Sequence, residues 1–272
     1  MPDPKLSRRR FLQLAATALA TALAGRGFWN SYQLQHSHHE RQLTKLRQPL
    51  RLVQCSDAHL GPLMGLTSLR HWVAITNAER PDLIVITGDL IDKGLRQFSE
   101  AMLAELASLA APLGVYAVLG NHEHGSVLSL TSFQAQLAEA GIEVLTNRGL
   151  SLRPDLYLAG IDDWRRGRPN LAAALRARQP EQACILLSHN PDVLPHLAEP
   201  LDLVLCGHTH GGQVVLPWLG APYVPSSYGR RFVSGWVEAS SLAYVSRGIG
   251  VSTLPLRFNC PPELVSMLLL PA

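Results

Sequence analysis

From residue 50 onward the chain alternates short apolar runs with segments of helical spacing: RLVQCSD, SLRHWVAITNAER, DLIVITGD, FSEAMLAELASLA, GVYAVLGNHE and SFQAQLAEA. Short apolar runs mark strands and apolar residues three or four apart mark helices, so this rhythm constrains the chain to β-α-β units. The apolar runs LYLAGID, ACILLSHN and LDLVLCGH follow, then a stretch rich in Gly, Pro and Tyr, then SLAYVSRGIG and ELVSMLLL. In such units a ligand binds beyond the carboxyl ends of the strands, where each following loop begins. With 272 residues, 47% of them hydrophobic, the chain can bury one large domain. No internal repeat or low-complexity segment interrupts the pattern.

The polar residues at those strand ends are of one chemical kind. Asp57 and His59 follow RLVQCS, Asp89 follows LIVITG, Asn121 and His122 follow VYAVLG, His189 follows ILLS, and His208 and His210 follow LVLCG. Singly, each has an ordinary explanation: Asp after Gly suits a turn, and a lone histidine is more often a satisfied polar residue than a ligand. Five strand ends of the same kind favour a metal site. Carboxylates, an amide oxygen and neutral imidazoles, without thiolates, suit Mn, Fe or Zn, with Mn favoured. Asp57, His59, Asp89, Asn121, His189, His208 and His210 exceed the needs of one ion and fit two that share a carboxylate. Two ions roughly 3.5–4 Å apart can clamp a phosphate and acidify the water between them, supplying hydroxide for in-line attack on phosphorus. Residues one position apart in an extended segment share a side, so Asp57 with His59, and His208 with His210, are expected to present ligands together. Gly88, Gly120, Gly207, Gly211 and Gly212 flank the cluster and give room for close approach.

The same residues spell DAH at 57–59, GD at 88–89, GNHE at 120–123, SH at 188–189 and GHTH at 207–210. In this order, over about residues 51–213, they resemble the calcineurin-like metallophosphoesterases. GGQ, YVSRGIG at 244–250 and RFNCPPE at 257–263 resemble the bacterial phosphohydrolases of that family that often carry twin-arginine signals. The resemblance implies an α/β fold, a four-layer α-β-β-α sandwich of two mixed sheets. It implies one metal held by Asp57, His59, Asp89 and His210, and another by Asp89, Asn121, His189 and His208. His122 would stabilise the charged phosphorus centre or protonate the leaving oxygen. The implied activity is that of a binuclear metal-dependent phosphoesterase. Phosphodiesters are the first expectation for its substrate, and a pyrophosphatase acting on a nucleotide-linked lipid is the alternative. A non-catalytic binding module on the same scaffold would be expected to have lost ligands or the histidine after Asn121, and all are present here.

The chain begins MPDPKLSRRRFLQLAATALATALAG, a basic start, an apolar stretch from Phe11 to Ala24 and a small-residue pattern at Ala22-Leu23-Ala24. This reads as an export signal, its apolar part being shorter than the roughly 20 residues that span a bilayer. Ser7-Arg8-Arg9-Arg10-Phe11-Leu12 resembles a twin-arginine signal, whose route carries folded proteins and would allow metal loading before export. The expected organisation is a signal or anchor over 1–24, a linker over 25–50 and a phosphoesterase domain over 51–272. The expected location is the periplasm or the outer face of the cytoplasmic membrane, with the twin-arginine machinery as partner, a lipid-linked phosphate ester among the possible substrates and membrane association possible. His36, His38 and His39, in the linker segment HSHHE, read as solvated. The net charge of +3 arises partly from the first ten residues, and no basic run interleaves with aromatics elsewhere, so specific nucleic-acid binding is not expected.

Cys55, Cys184, Cys206 and Cys260 show no paired spacing, and three of them read as small hydrophobes in strands. Glu123 and His124 could orient His122, or Glu123 could cap a helix. Arg247 and Arg257 suit either a bidentate grip on phosphate or structural ion pairs. Trp218, Tyr223, Tyr228 and Trp236 suit either a substrate-covering loop or aromatic packing.

Overall fold

Two six-stranded mixed sheets form the centre of the molecule. In the first, β2 (Leu50–Cys55), β3 (Leu83–Thr87), β4 (Val115–Val118) and β5 (Ile142–Val144) run parallel. On its other side β12 (Glu263–Pro271) lies antiparallel to β2, and β1 (Gln35–Leu43) lies at the edge, parallel to β12. In the second sheet β7 (Leu156–Gly160), β8 (Ala183–Leu187), β9 (Leu203–Cys206) and β11 (Leu242–Val245) are parallel. Antiparallel β6 (Arg148–Arg153) and β10 (Gly235–Glu238) close its two edges. This is a computed structural model, and it describes residues 7–93 and 95–272. The first six residues of the expected signal, and the side chains of Ala22-Leu23-Ala24, lie outside the described residues.

Strand periodicity builds the layers. Val53, Cys55, Ile84 and Ile86 face the helices α2 (Leu66–Ala78), α3 (Glu100–Leu106) and α5 (Leu130–Glu139) and pack on Trp72, Leu106 and Phe133. Their neighbours Leu52, Leu83 and Val85 face the other way and meet Ile185, Leu187 and Leu205 between the sheets. Cys184, Leu186, Val204 and Cys206 line the far face of the second sheet, under the short helix α6 (Leu171–Leu175) and a 3-10 turn at Pro191–His196. Three apolar interlayers require four layers, the expected α-β-β-α order. In α2 the buried residues Leu69, Trp72, Val73 and Thr76 fall at helical spacing, so one face of the helix covers the sheet. All four cysteines are buried and free.

Residues 25–50, read from the sequence as a linker, belong to the folded unit. β1 pairs along its whole length with β12, from Gln35 opposite Glu263 to Leu43 opposite Pro271. Further upstream, the C-terminal end of α1 (Arg8–Asn30) is docked: Gly27 O accepts from Arg257 N at 3.0 Å, and Ser31 is fully buried. An edge strand need not bury apolar residues on both faces, so QHSHHERQL carries its period of two in polar side chains. His39 contacts Tyr244 on one face while His36 and His38 contact Glu79 on the other. Among the described residues no helix is long and apolar enough to cross a membrane.

Candidate metal centre

The loops after β2, β3, β4, β8 and β9 carry the residues singled out in the sequence, and the fold brings them together. Asp57, His59, Asp89, His208 and His210 all adopt left-handed backbone angles, with φ of 50°, 47°, 50°, 72° and 52°. The expected extended pairing of Asp57 with His59, and of His208 with His210, is therefore replaced by tight turns. Each such residue costs on the order of 1 kcal/mol or more, so the surroundings must hold it. Asp57 N donates to Gly88 O and His59 N to Asp89 O, both at 3.0 Å, and His208 N donates to both carboxylate oxygens of Asp57. A Cβ on Gly207 would collide with Ser56 Oγ and Asp57 Oδ2, so a larger residue there would push Asp57 away.

The donor atoms form two clusters joined at Asp89. In the first, His59 Nε2 lies 2.9 Å from His210 Nε2, and His210 Nε2 lies 3.4 Å from Asp57 Oδ1. His59 Nε2 is also 3.7 Å from Asp89 Oδ2. In the second, His189 Nε2 lies 3.2 Å from Asp89 Oδ2, 3.3 Å from Asn121 Oδ1 and 3.1 Å from His208 Nδ1. Tetrahedral ligands at zinc-like bond lengths stand about 3.4 Å apart, close to these separations.

The chemistry of the second cluster tests whether a cation fits. His189 Nδ1 donates to Thr87 O at 2.9 Å, which leaves Nε2 as the lone-pair nitrogen of the neutral ring. That nitrogen then faces three further electron-pair donors in a fully buried position, an arrangement that needs a proton or a metal ion at its centre. With no ion, burial alone would lower His189, but the charge and hydrogen bond of Asp89, with Asp57 behind them, hold it well above its usual range. His208 and His210 go the other way. Burial and His189 push His208 down to about 3, and burial with His59 and Arg257 holds His210 well below its usual range. Both rings are thus neutral, the form that binds metals.

His122 sits beside the shared carboxylate with Nε2 3.9 Å from Asp89 Oδ2. Its Nδ1 is 2.8 Å from Asp92 Oδ1. Burial alone would lower His122, but Asp92 and then Asp89 outweigh it and hold the ring above its usual range. Asp92 responds in kind: against burial, His122 and His59 keep its carboxyl well below the usual range. Glu123 binds three backbone amides, Gly120 N at 2.7 Å and Asp89 N and Ile91 N at 3.0 Å. One carboxylate thereby caps the start of α4 (Asn121–Ser126) and orders the Asp89 turn. His124 is paired with Asp162 at 2.7 Å.

A pocket of about 240 Å³ opens over Asp89, Asn121, His122 and His208, and Arg165 and Tyr223 also line it. Sequence reasoning missed Asp92 and Arg165. Arg165 Nη1 lies 3.4 Å from His208 Nε2, and its turn is held by Asp163, which accepts from Arg165 N and Arg166 N. The signal was there: Arg165 stands just beyond LYLAGID, another strand end. The arginines considered for phosphate binding are committed elsewhere. Arg247 pairs with Glu263 at 3.1 Å. Arg257 is fully buried and donates to the carbonyls of Arg247 and Gly250. Trp236 packs against Tyr244 and Tyr228 against Phe232, whereas Trp218 and Tyr223 are exposed.

Two packed mixed sheets with paired His/Asp clusters at their strand ends define a metal-dependent phosphoester hydrolase. The model of the calcineurin-like phosphoesterase family matches residues 50–212, and the chain belongs to that family. It is 34% identical over 277 residues to the uncharacterised metallophosphoesterase YkuE of Bacillus subtilis, spanning 96% of both chains. It is 30% identical over 272 residues to the phosphodiesterase YaeI of Escherichia coli, spanning 96% of this chain and 98% of the relative. The UDP-2,3-diacylglucosamine pyrophosphatase LpxG of Chlamydia trachomatis is 27% identical over 275 residues, spanning 80% of this chain and 83% of the relative.

Proposed function

We propose that the protein is a binuclear phosphodiesterase, with one ion held by Asp57, His59, Asp89 and His210 and the other by Asp89, Asn121, His189 and His208. The observation that carries this reading is that Asp89 Oδ2 faces His59 of one cluster and His189 of the other. Bound there, two divalent ions, manganese by preference, would neutralise a phosphate and acidify water. Arg165, at the rim, would grip a phosphate oxygen. His122 would deliver a proton to the leaving oxygen, with Asp92 keeping it charged. The relationship to YaeI favours diesters, and that to LpxG keeps a nucleotide-linked lipid pyrophosphate as the second reading. A panel of manganese-loaded enzyme with monoesters, diesters, phospholipids and nucleotide-linked lipids tests this, and faster turnover of monoesters than diesters would overturn it.

The site is further proposed to work at the outer face of the cytoplasmic membrane after twin-arginine export. The arginines at 8–10 support export. Replacing Arg8 and Arg9 by lysine should then leave the protein inside the cell, and unchanged export would refute the reading. A hairpin closed by reciprocal Leu216 and Gly220 hydrogen bonds, both 2.9 Å, supports membrane contact. It presents Trp218, fully exposed, and Leu219 at its tip, with Tyr223 exposed at the pocket rim and Arg230 and Arg231 exposed nearby. Exposed aromatic and apolar residues with basic residues close by match the interface of an anionic bilayer. Trp218→Ser with Leu219→Ser should cut binding to vesicles containing anionic lipid by about tenfold or more, leaving hydrolysis of a soluble diester intact. Equal vesicle binding by both proteins would count against this orientation.

A further inference from the structure

β1 is a polar edge strand whose alternate residues His36 and His38 lie on one face, with their rings 4.0 Å apart. Both meet Glu79, the residue that closes the C-terminal end of α2. His36 Nδ1 lies 3.7 Å from Glu79 Oε1, and His38 Nε2 lies 3.1 Å from Glu79 Oε2. On its other nitrogen, His36 Nε2 contacts Ser266 Oγ at 2.7 Å. If that nitrogen carries the proton, Nδ1 is left with its lone pair directed at the Glu79 side, the outer hydrogen bond that typically orients a metal-ligating histidine.

We infer that His36, His38 and Glu79 form a second, separate divalent-metal site of the zinc class. One donor atom from each residue lies within 4.8 Å of the other two, and none of the three belongs to the clusters around Asp89. Two imidazoles and a carboxylate are a borderline-ion donor set, and the two separations from Glu79, 3.7 and 3.1 Å, bracket the spacing of tetrahedral ligands. A groove of about 470 Å³ beside His38 and Glu79 leaves a fourth coordination position open to water. The neighbouring histidine takes no part: His39 points through the strand to Tyr244, 3.0 Å away, as the period of two requires. Bound metal ties the edge strand to α2 across 41 residues of sequence. The tie gives the amino-terminal segment a fixed seat on the domain.

The test is a zinc count on the full-length protein, stripped with chelator and re-equilibrated with Zn²⁺. Wild type should retain one more tightly bound zinc per chain than His36→Ala/His38→Ala, and one more than Glu79→Gln, a milder change that keeps the side-chain shape. All three should hydrolyse a soluble diester at the same rate. Zinc-soaked crystals should show anomalous scattering between the three side chains. Equal zinc counts in wild type and both variants would overturn the inference. Because the readout is a difference, an error in the binuclear assignment would change all totals equally and leave it intact.

Discussion

Asp89→Asn should remove metal and activity together while leaving the fold standing. Changes in residues that merely support a metal ligand typically cost 10–100-fold, so loss of the shared carboxylate should lower turnover by more than about a hundredfold. The substitution is nearly isosteric, and its carbonyl can still accept from His122 N, as Asp89 Oδ1 does at 2.8 Å. Its amide would face His189 Nε2, where the carboxylate oxygen lies at 3.2 Å, and would not supply the charge that holds metal-free His189 well above its usual range. Circular dichroism should report a folded variant, while metal analysis shows a loss of bound ions. Full metal content together with full activity would exclude Asp89 as the bridge.

The second large effect concerns His122 and its partner. His122→Ala should lower kcat by about 10²–10⁴-fold with metal content unchanged. The leaving group reports the role: an alkoxide needs the proton, whereas a nitrophenolate leaves without it, so the defect should be much smaller on a nitrophenyl ester. Equal defects on both would assign His122 to stabilising the phosphorus centre instead. Asp92→Asn tests the supply of that proton. His122 is raised in the wild type because Asp92 and Asp89 outweigh burial, and the protonated form is present below its pKa and lost as pH rises through it. Removing the Asp92 charge lowers that pKa, so the basic limb of the kcat profile should move to lower pH. A basic limb that stayed in place, or moved up, would show that another group sets it.

Some of this architecture was written in local sequence and some was not. Continuous apolar runs around β2, β3, β8 and β9 foretold strands buried on both faces, because the side chains on either side of such a strand must each find an apolar layer. The polar edge strand β1 escaped notice for the same reason, since a strand that buries little apolar surface carries no apolar period. Asp57, His59, Asp89, Asn121, His189, His208 and His210 were legible because each follows a strand directly. Asp92 and Arg165 were not singled out, since Asp92 lies beyond the first turn of its loop and Arg165 is a charged residue among other charged residues.

The sequence by itself determined the strand and helix rhythm of β-α-β units, the seven candidate ligands and the histidine beside them. Tertiary structure alone decided the partners: which histidines face which oxygen of Asp89, that five of the site residues turn left-handed rather than extend, and that His36 and His38 meet Glu79. The division has a physical cause. Periodicity and strand ends are set by neighbours along the chain, whereas a cluster of donors depends on positions up to 151 residues apart, as for His59 and His210. Only packing of the two sheets closes such distances.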